Sequence, residues 1–209
     1  MTSTASIPRT LARVVLVAAA AVLALAGPVA AREPVDPGTL NPPPLDFFNA
    51  SCLAGGNGTI CTLAFADPPF EDEPSGLICD GVELLDSGAR SVVGKRFYDA
   101  DGNLVQRHFR ETLDGRFTNP ETGRYVLYHA HDTVKHDLAV PGDLSTGATR
   151  ITGLYVRMWR PGGGTVLSDT GTYIEDPGTF DLLFASGHHP LIDYASDLSA
   201  IDPLCAALD

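Results

Sequence analysis

The sequence predicts an all-β fold: an antiparallel meander closed, or nearly closed, into a small barrel of about eight strands. A two-sheet sandwich is the alternative, and one short helix is expected at the C-terminus. Three observations carry this expectation. β-branched and aromatic residues gather in short runs between about residues 77 and 209. Clusters of Asp, Asn, Pro and Gly punctuate those runs at regular intervals. No repeat of fixed period is present. Closure is the economical solution, because a barrel leaves no strand edge unpaired.

Residues 1–31 read as a secretory signal peptide. Arg9 and Arg13 give a positive start, Val14–Ala26 is an uncharged apolar run of 13 residues, and Val29-Ala30-Ala31 is a small-residue cleavage site. That run is shorter than the roughly 20 apolar residues a bilayer span requires. The mature chain is therefore expected to begin near Arg32 and to work outside the cell, with no membrane association after cleavage. Residues 32–48 contain Pro34, Pro37 and Pro42-Pro43-Pro44, too many fixed φ angles for a helix, and predict an extended or mobile arm. Residues 49–209 are expected to form a single disulfide-tied domain. A second break at 67–76, rich in turn formers and acid, places its compact body at about 77–209.

Within that body, Ser91–Tyr98 and Asn103–Glu111 flank Asp99-Ala100-Asp101-Gly102, a hairpin in which Gly102 takes a positive φ at little cost. Thr112–Thr118 leads into the turn Asn119-Pro120-Glu121-Thr122-Gly123, and Arg124–Asp132 continues extended. Arg150–Arg160 and Thr165–Glu175 flank Pro161-Gly162-Gly163-Gly164, and Asp176-Pro177-Gly178 turns into Thr179–Ser186. The helix is expected near Asp202–Leu208. Alternation along Arg150–Arg160 puts Leu154, Val156 and Met158 on a core face and Tyr155, Arg157 and Trp159 on the other. This polar and aromatic trio is the candidate lining of a small-ligand pocket inside the barrel.

Removing Arg9 and Arg13 with the leader leaves 12 basic residues against 26 acidic, a net charge of about −14. Only Lys95 and Lys135 are lysines. Such a chain repels nucleic acid and anionic lipid, and both are excluded as partners. Four cysteines in an exported chain predict two disulfides rather than zinc. Cys52 and Cys61 flank the turn-prone Ala54-Gly55-Gly56-Asn57-Gly58-Thr59, which brings them together. Cys79 and Cys205 are then left to pair.

The densest polar cluster is His129-Ala130-His131-Asp132, followed by His136. His129 and His131, two apart on an expected strand, leave the same face and are competent to share a divalent metal ion. Gly123, His129, His131, His136 and Gly142 together resemble the first metal motif of the cupins, with His136 standing where that family has glutamate. The resemblance implies a metal site on His129, His131 and His136 and a metal-dependent enzyme. There is no Gly-x-Ser-x-Gly elbow, His-Glu-x-x-His or phosphate-binding glycine loop. No cofactor is expected outside the metal reading.

The run Phe117-Thr118-Asn119-Pro120-Glu121-Thr122-Gly123-Arg124, the first-strand Cys79 and the ending Cys205-Ala206-Ala207-Leu208 resemble a group of secreted actinobacterial proteins of uncharacterised function. The resemblance implies a small all-β domain with Cys79 bridged to Cys205 and no catalytic residues. The leading functional expectation is a secreted, non-catalytic domain that binds a small ligand or an extracellular partner. The cupin-like enzyme is the alternative.

Overall fold

The computed structural model describes residues 32–194 and 196–209, so the expected leader lies outside the described residues. Among the described residues, ten strands form one antiparallel sheet: β1 (Pro34–Val35), β2 (Asn49–Gly55), β3 (Gly58–Ala66), β4 (Phe70–Cys79), β5 (Val82–Tyr98), β6 (Leu104–Thr118), β7 (Tyr125–Asp137), β8 (Ala148–Trp159), β9 (Thr165–Glu175) and β10 (Leu182–His188). Helix α1 (Pro190–Asp193), a 3-10 turn (Leu198–Ile201) and helix α2 (Asp202–Leu208) follow. The order across the sheet is β1-β2-β3-β5-β6-β7-β8-β9-β10. The all-β class and the C-terminal helix match the expectation. β1 and β10 are not bonded to each other, so the sheet is an open barrel or sandwich-like wrap rather than a closed ring.

β5 and β6 organise this sheet. No proline interrupts residues 75–119, so nothing removes a ladder donor there, and β6 runs unbroken through Glu111 and Thr112, where two separate strands were expected. Their hairpin closes through Asp99, whose Oδ1 accepts the Asp101 N–H at 3.0 Å and the Asn103 N–H at 2.8 Å. β6 pairs with β5 along nearly its whole length. On the other side of β5, β4 and β3 lie end to end, β4 against residues 82–88 and β3 against 91–98.

β7 shows how the faces separate. Val126, Tyr128, Ala130, Asp132 and His136 are buried, while Tyr125, His131, Thr133 and Asp137 are exposed. This is the period of two that a strand imposes. Carried across the register, it places both hydrophobic clusters on one face of the sheet. The first contains Leu84, Val126, Tyr128, Val156, Met158 and Leu167, capped by Leu204 and Leu208 of α2. The second contains Cys52, Cys61, Leu63, Tyr98 and Leu104, capped by Leu40. We call this the core face and its opposite the open face.

Tyr128 shows what the register is for. Tyr128, Gly115 and Gly88 stand opposite one another on β7, β6 and β5. The phenol lies across the space that side chains would fill: a Cβ at Gly115 would sit 2.6 Å from the ring carbon bearing the hydroxyl, and one at Gly88 2.8 Å from the hydroxyl itself. The hydroxyl donates to Asp86 Oδ1 at 2.8 Å. Both the hydroxyl and the carboxyl are held above their ordinary pKa, in each case first by burial.

The compact unit spans Glu33–Asp209, wider than the 77–209 expected. The proline-rich segment 32–48 is docked, with one 3-10 turn at Pro37–Thr39. Pro34 and Val35 pair with Leu53 and Cys52, Asn41 bonds through its backbone to Gly102 and Leu104, and Leu40 is buried. Proline lacks a donor but keeps its carbonyl, and the core uses those carbonyls. Buried Arg96 donates to Pro43 O at 2.9 Å and the Tyr98 hydroxyl donates to Pro42 O at 3.0 Å.

The turn at Asn119 ties the other end. Asn119 Oδ1 accepts the Glu121 and Thr122 N–H groups, Gly123 takes φ 69°, and the Thr122 hydroxyl donates to Leu208 O at 2.8 Å. Arg160 adds a bond to Ala206 O. Both expected disulfides are present. Cys52 and Cys61 face each other across β2 and β3, and Cys79 joins Cys205 over a separation of 126 residues.

The chain-entropy relation gives about 5 kcal/mol for the longer loop and about 2.6 kcal/mol for the shorter one. Replacing Cys79 and Cys205 by serine is expected to cost about 2 kcal/mol more, by urea denaturation, than replacing Cys52 and Cys61. Equal midpoint losses would contradict this.

Candidate functional site

The trio Tyr155, Arg157 and Trp159 does not share one face. Register shifts on both flanks of β8, between Leu154 and Val156 on the β9 side and between His129 and His131 on the β7 side, make Tyr155 an extra residue. A bulge of this kind inverts the parity of the strand beyond it. Tyr155 turns to the core face, where its ring meets Tyr173 edge-on at 5.7 Å. Arg157 and Trp159 stay on the open face with Leu154, around a recess of about 350 Å³ shared with His129 and Thr165. Arg157 Nε donates to the Thr165 hydroxyl at 2.9 Å.

The histidines also divide. His129 and His131 share the open face with parallel rings, centroids 6.4 Å apart. His129 Nδ1 pairs with Asp114 at 2.7 Å, and His131 Nδ1 with the Thr112 hydroxyl at 3.1 Å. His136 is fully buried on the core face. Its Nδ1 accepts from Arg107 Nε at 3.1 Å and its Nε2 donates to Thr146 O at 2.7 Å. Burial holds its pKa below the ordinary value, with Arg107 acting the same way. The expected three-histidine set is therefore not assembled, and no group of three metal-ligating side chains converges among the described residues. The signal was in the spacing: His131 and His136 are five residues apart, and an odd separation on a strand means opposite faces.

On the core face, Asp132, Tyr155, Tyr173 and His189 meet over Gly153 and Gly171, with no space left for a ligand. His189 bonds Asp169 Oδ1 at 2.8 Å through Nδ1, and Asp169 Oδ2 accepts the Leu191 N–H. Burial alone would lower the pKa of His189, but Asp169 and the Ser186 carbonyl raise it above the ordinary value. Asp132 is the strained member. Its Oδ1 is buried without a hydrogen-bond partner, and burial, reinforced by Glu111, raises its pKa to about 6. Arg90 is committed to Glu111 through two bonds of 2.7 and 3.0 Å.

A roomier recess lies on the open face, a groove of about 600 Å³ crossing β2, β3, β5, β6 and β7. Asn49, Ser51, Thr62 and Thr133 supply neutral polar groups, Lys95, His108 and Arg110 basic ones, and exposed Val93 an apolar floor. His108 Nε2 is buried and has no hydrogen-bond partner. Sequence reasoning did not single out this groove, because its lining comes from five strands and meets only through their register. No protein family, curated protein or solved structure matches the chain.

Two outcomes are expected at these residues. His136→Ala should destabilise the fold by about 1–3 kcal/mol, since it strands Arg107 Nε and Thr146 O, while leaving any zinc uptake at His129 and His131 unchanged by calorimetric titration. For Asp132 the folded pKa is raised, so its charge penalty is absent below the unfolded value, grows as pH rises toward 6 and is complete above it. Asp132→Asn should therefore add about 2 kcal/mol at pH 8 and nothing at pH 3.5. A gain of equal size at both pH values would refute this account.

Proposed function

We propose that this chain is an exported, non-catalytic β domain that binds a small ligand in the open-face groove. The observation that carries this reading is the groove itself. Its volume of about 600 Å³ falls within the range of small-molecule sites. Its polar groups converge from separate strands, and one of them, His108 Nε2, is buried and unsatisfied. A buried polar atom without a partner is costly unless something else supplies the bond, and a ligand acceptor or donor at that nitrogen would remove the cost.

Export is supported by the leader-like residues 1–31 and by four cysteines that are all bridged, since such bonds persist in oxidising compartments. Among the described residues, no helix is long and apolar enough to cross a membrane. A non-catalytic role is consistent with a buried His189–Asp169 pair whose two ring nitrogens are both engaged, the second by Ser186 O at 3.2 Å. The cupin-like alternative loses support because its third ligand, His136, faces away from the other two.

The test is nuclear magnetic resonance on untagged protein. Phenyl glucoside, indole and citrate serve as probes, and Ala64→Trp is the blocking variant, since Ala64 is exposed and lines the groove. A bound probe is expected to shift Thr62, Lys95, His108 and Thr133 together, and Ala64→Trp to abolish the effect. If no probe moves these residues, or the variant leaves the shifts intact, the groove is not a ligand site.

A further inference from the structure

The register of the open face gathers cations into a line. Lys95 on β5 stands opposite His108 on β6, His108 opposite Lys135 on β7, and Lys135 opposite Arg150 on β8. Both lysines of the chain thus fall in a single row with an imidazole and a guanidinium. Arg110, two residues from His108, lies on the same face in the next row. Neighbouring strands are about 4.8 Å apart, so the row is about 15 Å long.

This arrangement runs against the composition. Acidic residues outnumber basic ones by 26 to 14, so a partner for every cation is available in principle. Lys135 takes one, Asp137 at 2.8 Å. Among the described residues, Lys95, Arg110 and Arg150 have no carboxylate within salt-bridge distance, and all three are exposed. Like charges directly opposite one another in a sheet destabilise it. In this row Lys135 and Arg150 are the like charges directly opposite one another, so the row costs stability there in the free protein, and a ligand carrying several negative charges relieves that cost on binding. The overall negative charge does not prevent this, because ionic screening over about 8 Å confines the repulsion of the distant acids.

We propose that the open face binds a small multivalent oxyanion, with several carboxylate or phosphate groups, along Lys95, His108, Lys135 and Arg150. This rests on the groove reading above and names the chemistry of its ligand. Lys95 and His108 belong to both the groove and the row, so the ligand enters the groove at one end and extends over Lys135 to Arg150. Lysine supplies a point charge at each step. Arg150 supplies a planar fork suited to bidentate contact with a carboxylate or phosphate at the far end.

The experiment is calorimetric titration of untagged protein with citrate and, separately, with inorganic tripolyphosphate. The proteins are the native chain, Lys95→Gln/Arg150→Gln, Arg124→Gln as an exposed cation outside the row, and Ala64→Trp. At least one anion is expected to bind, and whichever arm is tighter identifies carboxylate or phosphate as the source. Affinity should fall about tenfold or more in the row variant and hold in Arg124→Gln. Without anion, the row variant should melt higher than the native chain, and the anion should raise the melting temperature of the native chain and of Arg124→Gln but not that of the row variant.

Equal loss in the row variant and in Arg124→Gln means diffuse attraction to positive charge and overturns the proposal. So does an absence of anion binding while uncharged probes still shift the groove residues, an outcome that leaves the groove reading standing. Anion binding that is lost in the row variant but kept in Ala64→Trp supports the row and removes the groove.

Discussion

The continuous antiparallel register across β5, β6 and β7 is the constraint on which every other feature of this fold rests. Because side chains alternate with a period of two, one register assigns every residue of three long strands to a face. That assignment puts both hydrophobic clusters on the same side. It also lays Tyr128 over Gly115 and Gly88, and a one-residue slip would remove both glycines from beneath the ring and drive it into side chains. The tyrosine and its two glycines therefore enforce the register as well as depend on it.

A single sheet with one buried face must cover that face with something else, and this chain does so from both termini. The N-terminal segment covers the cluster around Tyr98 with Leu40 and with proline carbonyls that accept from Arg96 and Tyr98. The C-terminal helix covers the cluster around Tyr128, held by Thr122, Arg160 and the Cys79–Cys205 bridge. A seven-residue helix has little stability of its own, so these tethers stabilise it where propensity does not. β10, exposed along its whole length and paired on one side only, remains as a free edge.

Electrostatics divide in the same way. Between the two clusters the core face buries polar groups that satisfy one another incompletely: His189 and Asp169 are paired, whereas Asp132 keeps an oxygen without a partner. The open face of an acidic chain collects its lysines in one row. Both arrangements cost stability locally, and costs of this kind are characteristic of functional surfaces. The buried one has no room for a ligand, whereas the exposed one borders a groove.

Composition and local chemistry were enough to establish the β class, the hairpin turns, the Cys52–Cys61 pairing and the C-terminal helix, because glycine, proline and a nearby cysteine pair act through backbone angles and short-range closure that neighbouring residues already specify, and Cys79–Cys205 followed by elimination. The opposite orientations of His131 and His136 were legible too, in an odd spacing, once both lay on one strand. The turning of Tyr155 away from Arg157 and Trp159 was not, because the bulge that causes it arises from pairing with two other strands. Nor was the docking of the proline-rich arm, which depends on buried donors more than 50 residues away. The cation row was hidden for the same reason. Lys95, His108, Lys135 and Arg150 are unremarkable along the chain, and they become neighbours only when hydrogen bonding among four strands selects one register out of many.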